Sequence, residues 1–200
     1  MIQNNGFEAL AVRANLRSNE EAMKLIQQTK DHFGSIDVLI NNAGGSFAAP
    51  SEEITPNGWN AIIETNLNTN FFCSKEVCKV MRNQKQGGKI INMSLIAGFL
   101  PDVHHAPYSV AKAGLNLLNQ TLVVEWAKYN ITVNGIAPGF IETEGLKLQG
   151  QTNTDSIPLK RLGKKKNVFG TALFLVSYLR NYITGETIRV DGGMRGAMRM

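Results

Sequence analysis

The sequence predicts an α/β domain: a doubly wound parallel sheet with helices on both faces. Three observations carry this expectation. Five short runs rich in branched apolar residues alternate with longer stretches of helical spacing, the order in which helical crossovers join parallel strands. The runs read as buried strands, as in a sheet covered on both faces. Small or turn-forming residues stop them, as in "NAGGS", "PG" and "DGG", which is strand punctuation rather than helix continuation.

The elements follow in order. Ala9–Val12 is short and apolar, hence a strand, and Ser18 then caps a helical stretch to about His32. "IDVLIN" at 36–41 is a second strand, and helical spacing resumes from about Trp59 to Met81. "GGKIINMS" is a third strand entered through a glycine pair. A long helix covers Tyr108 to about Tyr129, and "NITVNGIAPG" is a fourth strand that Pro138-Gly139 ends. A loop rich in Gly, Gln, Asn and Thr spans 145–157, a helix covers about Val168–Ser177, and "TIRV" closes as a fifth strand. There is no linker, repeat or low-complexity tract, so residues 1–200 read as a single domain.

Composition narrows the function. The chain has 200 residues, 43% apolar and 18% charged, with a net charge of +5. That suits an enzyme receiving anionic ligands and falls short of a nucleic-acid binder. The one basic run, Lys164-Lys165-Lys166, has no interleaved aromatics and reads as a solvated turn. Cys73 and Cys78 are the only cysteines. Five apart on one helix, they point in different directions, which argues against a disulfide or zinc site and for a reducing cytoplasm. The N-terminus lacks a signal pattern, and no apolar run approaches the ~18 residues of a membrane span.

In doubly wound sheets ligands gather beyond the carboxyl ends of the strands. After the second strand stand Asn41, Asn42, Ala43, Gly44 and Gly45, small enough for a flat ligand to approach the backbone. Asn66 lies mid-helix in "TNLNTNFF", where asparagine is disfavoured. Ser94 follows the third strand. Tyr108 and Lys112 are an i, i+4 pair on one helical face, and an ammonium beside a phenol lowers the phenol's pKa, making it a usable acid or base. After the fourth strand, the Ile141 amide and Thr143 hydroxyl are placed to meet an amide or phosphate. His104 and His105 lie in the loop between Ser94 and Tyr108 and read as loop residues.

"NNAG" at 41–44, Asn66, "YSVAK" at 108–112, "PGFIET" at 138–143 and "ITGETIRVDGG" at 183–193 stand in this order. Together they resemble the short-chain dehydrogenase/reductase family, especially its β-ketoacyl reductase and glucose-dehydrogenase-like members. The resemblance runs from about Ala9 to Gly193 and implies a Rossmann-like sheet holding NAD or NADP across its strand ends. It implies hydride transfer to or from a small carbonyl or alcohol substrate. Tyr108 would be the proton donor, and Lys112 would hold the nicotinamide ribose and lower the tyrosine pKa. Asn66 would hold a water, and Asn42, Ala43 and Gly44 would line the adenosine-side ribose. Pro138, Gly139, Ile141 and Thr143 would embrace the carboxamide. Residues 145–157 would form the substrate loop, and a homo-oligomer would assemble through the helices near 59–81 and 108–129.

Three departures set further expectations. The family's first strands and glycine-rich phosphate turn have no counterpart here, a gap of roughly one βαβ unit of ~30 or more residues. The strand at 36–41 would then form an unpaired edge, with Ala9–Val12 beside it or loosely held. The family's serine position falls on Leu95, and Ser94 is one step early; alternate strand residues face opposite ways, so its hydroxyl is expected to turn aside unless a bulge restores it. Asn15 stands where the family often has an acid toward the adenine, and an amide still bonds there. The alternative to an active enzyme is an impaired member or truncated product that serves as an oligomer partner.

Overall fold

The structure, a computed structural model, describes residues 5–144 and 154–194. Helix α1 spans Asn19–Phe33. Ser18 is extended and its Oγ accepts the Glu21 amide at 3.4 Å, while Glu20 and Glu21 sit in the first turn and Lys30 and His32 in the last. Those charges oppose the helix dipole at both ends. Gly34, at φ 81°, ends the helix in a conformation suited to glycine.

Strand β1 (Val38–Asn41) leads to the stretch expected as one helix, which is instead three pieces. Helix α2 (Pro56–Ile63) begins early because Thr55 Oγ1 accepts the Gly58 amide at 3.1 Å and Pro56 suits a first turn. A π turn follows over Glu64–Asn68, in which the Thr69 amide reaches the Glu64 carbonyl, and then α3 (Thr69–Met81). Such bulges cluster at functional sites, and this one carries Asn66. Strand β2 (Gly88–Met93), helix α4 (Ala106–Trp126), strand β3 (Ile131–Pro138), helix α5 (Lys165–Val176) and strand β4 (Thr187–Val190) complete the order.

The strands pair in parallel as β1-β2-β3-β4, with Ile40 beside Ile91, Asn41 beside Asn92, and Met93 beside Ile136. Alternation sends Ile90 to one face and Ile91 to the other. Ile90 joins Ile26, Val77, Met81, Leu122 and Val133 under α1, α3 and α4, whereas Ile91 joins Ile136 and Leu175 under α5. The doubly wound architecture is therefore as expected.

Ala9–Val12 is not a strand, so the sheet of the described residues has four strands rather than five. Its apolar pattern fits a strand, but a strand needs a ladder, and Ala9–Val12 forms none with β1. That strand remains an edge, with Ile40 48% exposed. Lys164–Lys166 is also not a turn. The Lys164 amide donates to Asn167 Oδ1 at 2.8 Å, and the run opens α5. Cys73 and Cys78 are buried free thiols on α3, and burial pushes Cys73 up to about 11. Among the described residues no helix is long and apolar enough to cross a membrane.

Candidate active site

A line of amides braces the carboxyl ends of the strands from below. Asn41 Nδ2 donates to Asn92 Oδ1 at 2.7 Å, Asn92 Nδ2 to Asn119 Oδ1 at 2.7 Å, and Asn119 Nδ2 to Thr187 Oγ1 at 3.2 Å. Asn41 Nδ2 also reaches Ser74 Oγ and the Asn70 carbonyl. All three amides are buried, and satisfied buried polar groups of this kind fix a single register. From the sequence the asparagines after the second strand can bond a sugar hydroxyl, brace neighbouring strands or simply form a turn, and Asn41 braces β1 to β2. The signal for the rest was Asn92 inside the apolar strand "KIINM".

Above this line the backbone of Gly44–Gly45 is clamped by Asn66. Asn66 Nδ2 donates to the Gly45 carbonyl at 2.7 Å and the Ile62 carbonyl at 3.0 Å, and its Oδ1 accepts the Gly45 amide at 3.2 Å. Its own backbone carbonyl accepts from Asn70 Nδ2 at 2.9 Å. Both amide hydrogens are therefore committed, and Asn66 positions a loop; a water has only acceptor capacity left to use. A Cβ on Gly44 would meet Asn66 Oδ1 at 2.7 Å and Lys112 Nζ at 3.7 Å. Gly44, Asn66 and Lys112 thus converge on one spot.

Lys112 is 4% exposed. Its Nζ donates to the Met93 carbonyl at 2.8 Å and lies 5.4 Å from the Tyr108 ring centroid. Pro107 in the first turn of α4 and the small Ala111 let the helix start directly over the strand end. Burial pushes the ammonium down to about 8. The expected lowering of Tyr108 is not found: burial, and then the Asp102 carboxylate, raise its pKa above the ordinary phenol value. The Lys112 charge is spent on a carbonyl below the ring, so desolvation wins. The phenol is held protonated, the form that donates.

Ser94 is turned aside. Its Oγ donates to Asn116 Oδ1 at 2.7 Å and lies 3.3 Å from the Lys112 carbonyl. Asn116 Nδ2 in turn holds the Gly98 carbonyl at 3.1 Å. Ser94 thus pins β2 to α4, its hydroxyl turned toward the helix. No bulge restores its hydroxyl. Leu95 follows in extended backbone, φ −158° and ψ 163°, so its side chain leaves the strand on the side opposite to that of Ser94.

The other candidates lie as follows. Pro138 ends β3, and the Gly139 amide donates to the Val190 carbonyl at 3.0 Å. A Cβ on Gly139 would meet Asp191 Cα at 2.9 Å, so only glycine fits this approach. Ile141 bridges Gly163 through the Phe140 carbonyl and Glu142 amide, which fixes the start of the segment leading to Thr143. Asn42 and Ala43 line a cleft of about 190 Å³ with Asn70 and Leu16. Leu16, next to Asn15 in the chain, thus shares a cleft with the strand-end residues Ile40 and Asn41. Asn15 is exposed and folds its own turn, accepting the Arg17 amide at 3.3 Å. His104 adopts φ 64°, and its carbonyl accepts the Ala49 amide at 2.9 Å, which suits its reading as a loop residue. Of the 145–157 loop, residues 145–153 lie outside the described residues.

Comparison with known proteins decides the family. A family profile described as enoyl-(acyl carrier protein) reductase matches residues 2–195. A 3-oxoacyl-[acyl-carrier-protein] reductase of Synechocystis is 42% identical over 192 residues, covering 95% of this chain and 77% of the relative. The crystal structure of a short chain dehydrogenase from Bacillus anthracis superposes with a TM-score of 0.84 at 38% identity, over 93% of this chain and 75% of that one. ElxO with NADP bound gives 0.86 at 30% identity, over 92% and 77%.

The chain belongs to the short-chain dehydrogenase/reductase family.

Within this dehydrogenase/reductase chain, Gly44, Asn66, Tyr108 and Lys112 are brought together at the strand ends, with Met93 as an unforeseen fifth contributor through its carbonyl.

Proposed function

We propose that this oxidoreductase moves a hydride between NAD(P) and a small carbonyl or alcohol substrate, with Tyr108 as the proton donor and acceptor. The observation that carries the reading is the buried Lys112, seated on the Met93 carbonyl, beneath the Tyr108 ring and against Gly44. At Gly45 a Cβ would meet nothing within 4 Å, which leaves open space for a flat group beside the strand ends. Lys112, Asn42, Ala43 and Gly44 would hold its ribose groups, and Pro138, Gly139, Ile141 and Thr143 its carboxamide end. When bound, the nicotinamide supplies the hydride. Tyr108 supplies the proton to the nascent alkoxide, and its hydroxyl makes no hydrogen bond to any described residue, so it is open to substrate. Lys112 stabilises the phenolate left behind. The test is oxidation of NADH and NADPH with ketone and aldehyde substrates, alongside direct cofactor binding. Failure to bind either cofactor at millimolar concentration overturns the reading.

The pH dependence follows from the two titrating groups. Tyr108 stays protonated past its ordinary value, so it does not limit reduction on the alkaline side. Lys112 loses its charge as pH rises through about 8. We therefore expect kcat/KM for carbonyl reduction, which reports the free enzyme, to be maximal below that point and to fall above it. Initial rates from about pH 6 to pH 10 would check this; a profile level through pH 9 contradicts it.

We further propose a homo-oligomer joined through the α3 and α4 faces, in the cytoplasm. Val110, Leu117 and Val124 recur every seventh residue along α4, exposed at 49%, 63% and 83%, and Phe71 on α3 is also exposed. An apolar stripe of this spacing suits helix-to-helix packing. Leu117→Lys should reduce the mass measured by analytical ultracentrifugation to that of a monomer, while an unaltered mass rejects this interface. The two unpaired thiols agree with a reducing compartment.

A further inference from the structure

At the end of the sheet remote from Tyr108, where β2 and β3 begin, lies a cavity of about 370 Å³. Gln86, Gly88, Lys89, Thr132, Arg180 and Asn181 line it. Arg180 belongs to the short turn Tyr178–Arg180 that follows α5, and it is 4% exposed. Its Nη1 donates to Thr132 Oγ1 at 2.6 Å, while its Nε is buried without a hydrogen-bond partner. Among the described residues no carboxylate lies within ion-pair distance of it. A guanidinium enclosed with one neutral partner is costly, because desolvation is not offset by an opposite charge.

The cavity wall does contain one acid, Asp37, but it is exposed and engaged elsewhere. Its Oδ1 accepts from Gln86 Nε2 at 3.2 Å and its Oδ2 from the Ser35 hydroxyl at 3.3 Å. Lys89 adds a second positive charge to the lining. The space exceeds a single water's share of about 30 Å³ many times over, enough for a hydrated small anion.

We propose that this cavity is an anion site, in which Arg180 and Lys89 receive a small oxyanion of the phosphate or carboxylate class. Bound there, the anion offsets the charge of the enclosed Arg180 guanidinium. It also ties down the turn leading into β4. That turn is fastened to β3 by Asn134 Nδ2 on the Ile183 carbonyl at 3.1 Å, by the Val133 amide on Thr184 Oγ1 at 3.1 Å, and by the Gly185 amide on the Val133 carbonyl at 2.8 Å. The site is separate from the proton-transfer residues and does not depend on the reaction proposed above.

The experiment is thermal unfolding of the full chain with sodium phosphate at millimolar concentration, against sodium chloride at equal ionic strength. Phosphate at a few times its dissociation constant should raise the unfolding midpoint by about 2–4 °C. Sulfate and acetate in parallel separate the tetrahedral from the carboxylate class. Arg180→Met removes the charge while keeping an unbranched side chain, and should abolish the shift. Equal shifts in both proteins indicate general salt exclusion and overturn the proposal, as does no shift in the parent. Should Arg180→Met fail to fold, Lys89→Gln takes its place: a smaller phosphate shift supports the site, and an unchanged one rejects it.

Discussion

Tyr108→Phe is expected to lower kcat for carbonyl reduction by roughly 100- to 10,000-fold, the range that a positioned general acid contributes. The substitution removes one oxygen and leaves the ring. Because the hydroxyl makes no hydrogen bond to a described residue, the fold loses nothing it relies on. Lys112 keeps its bond to the Met93 carbonyl and its place near the ring. The melting temperature and cofactor affinity of the variant should therefore match those of the parent. Equal loss of cofactor binding and of rate would instead mean that Tyr108 shapes the pocket and does not move the proton.

Leu95→Ser is expected to act in the opposite direction. Leu95 follows the strand end in extended backbone, on the side opposite to the Ser94 hydroxyl that is bonded into α4. A serine there adds a donor toward the alkoxide that forms as hydride arrives. One such donor is worth about 2.7–4 kcal/mol, or roughly 100- to 1000-fold in kcat. Leu95 is only partly buried, so the lost apolar contact costs less than the roughly 1.5–3 kcal/mol of a fully buried leucine. Steady-state kinetics with one substrate decides the matter. A variant no faster than its parent shows that position 95 does not face the reacting oxygen.

These two residues also show what the sequence disclosed and what it hid. The spacing of Tyr108 and Lys112 placed both on one face of α4, and the parallel sense of the sheet followed from apolar runs with crossovers between them. The turning of Ser94 was legible from strand alternation alone. The direction of the Tyr108 pKa was not, because spacing gives proximity but not what the ammonium is bonded to. The Met93 carbonyl that takes up the Lys112 charge is a backbone group with no sequence signature. The π turn at Glu64–Asn68 was equally hidden, because it is defined by backbone hydrogen bonds that carry no side-chain signature. Ala9–Val12 misled because strand propensity cannot say whether a neighbouring strand is within reach. Arg180 escaped notice for a related reason, since burial of a charged residue is set by tertiary contacts alone.

The buried asparagines have a directional consequence. Each one hands its NH₂ to the next oxygen, from Asn41 through Asn92 and Asn119 to Thr187, so the side-chain dipoles lie head to tail. Reversing Asn92, the middle amide, would set NH₂ against NH₂ toward Asn41 and oxygen against oxygen toward Asn119. The row is thus held in one orientation as a whole. Under the strand ends the protein thus keeps one fixed polarity.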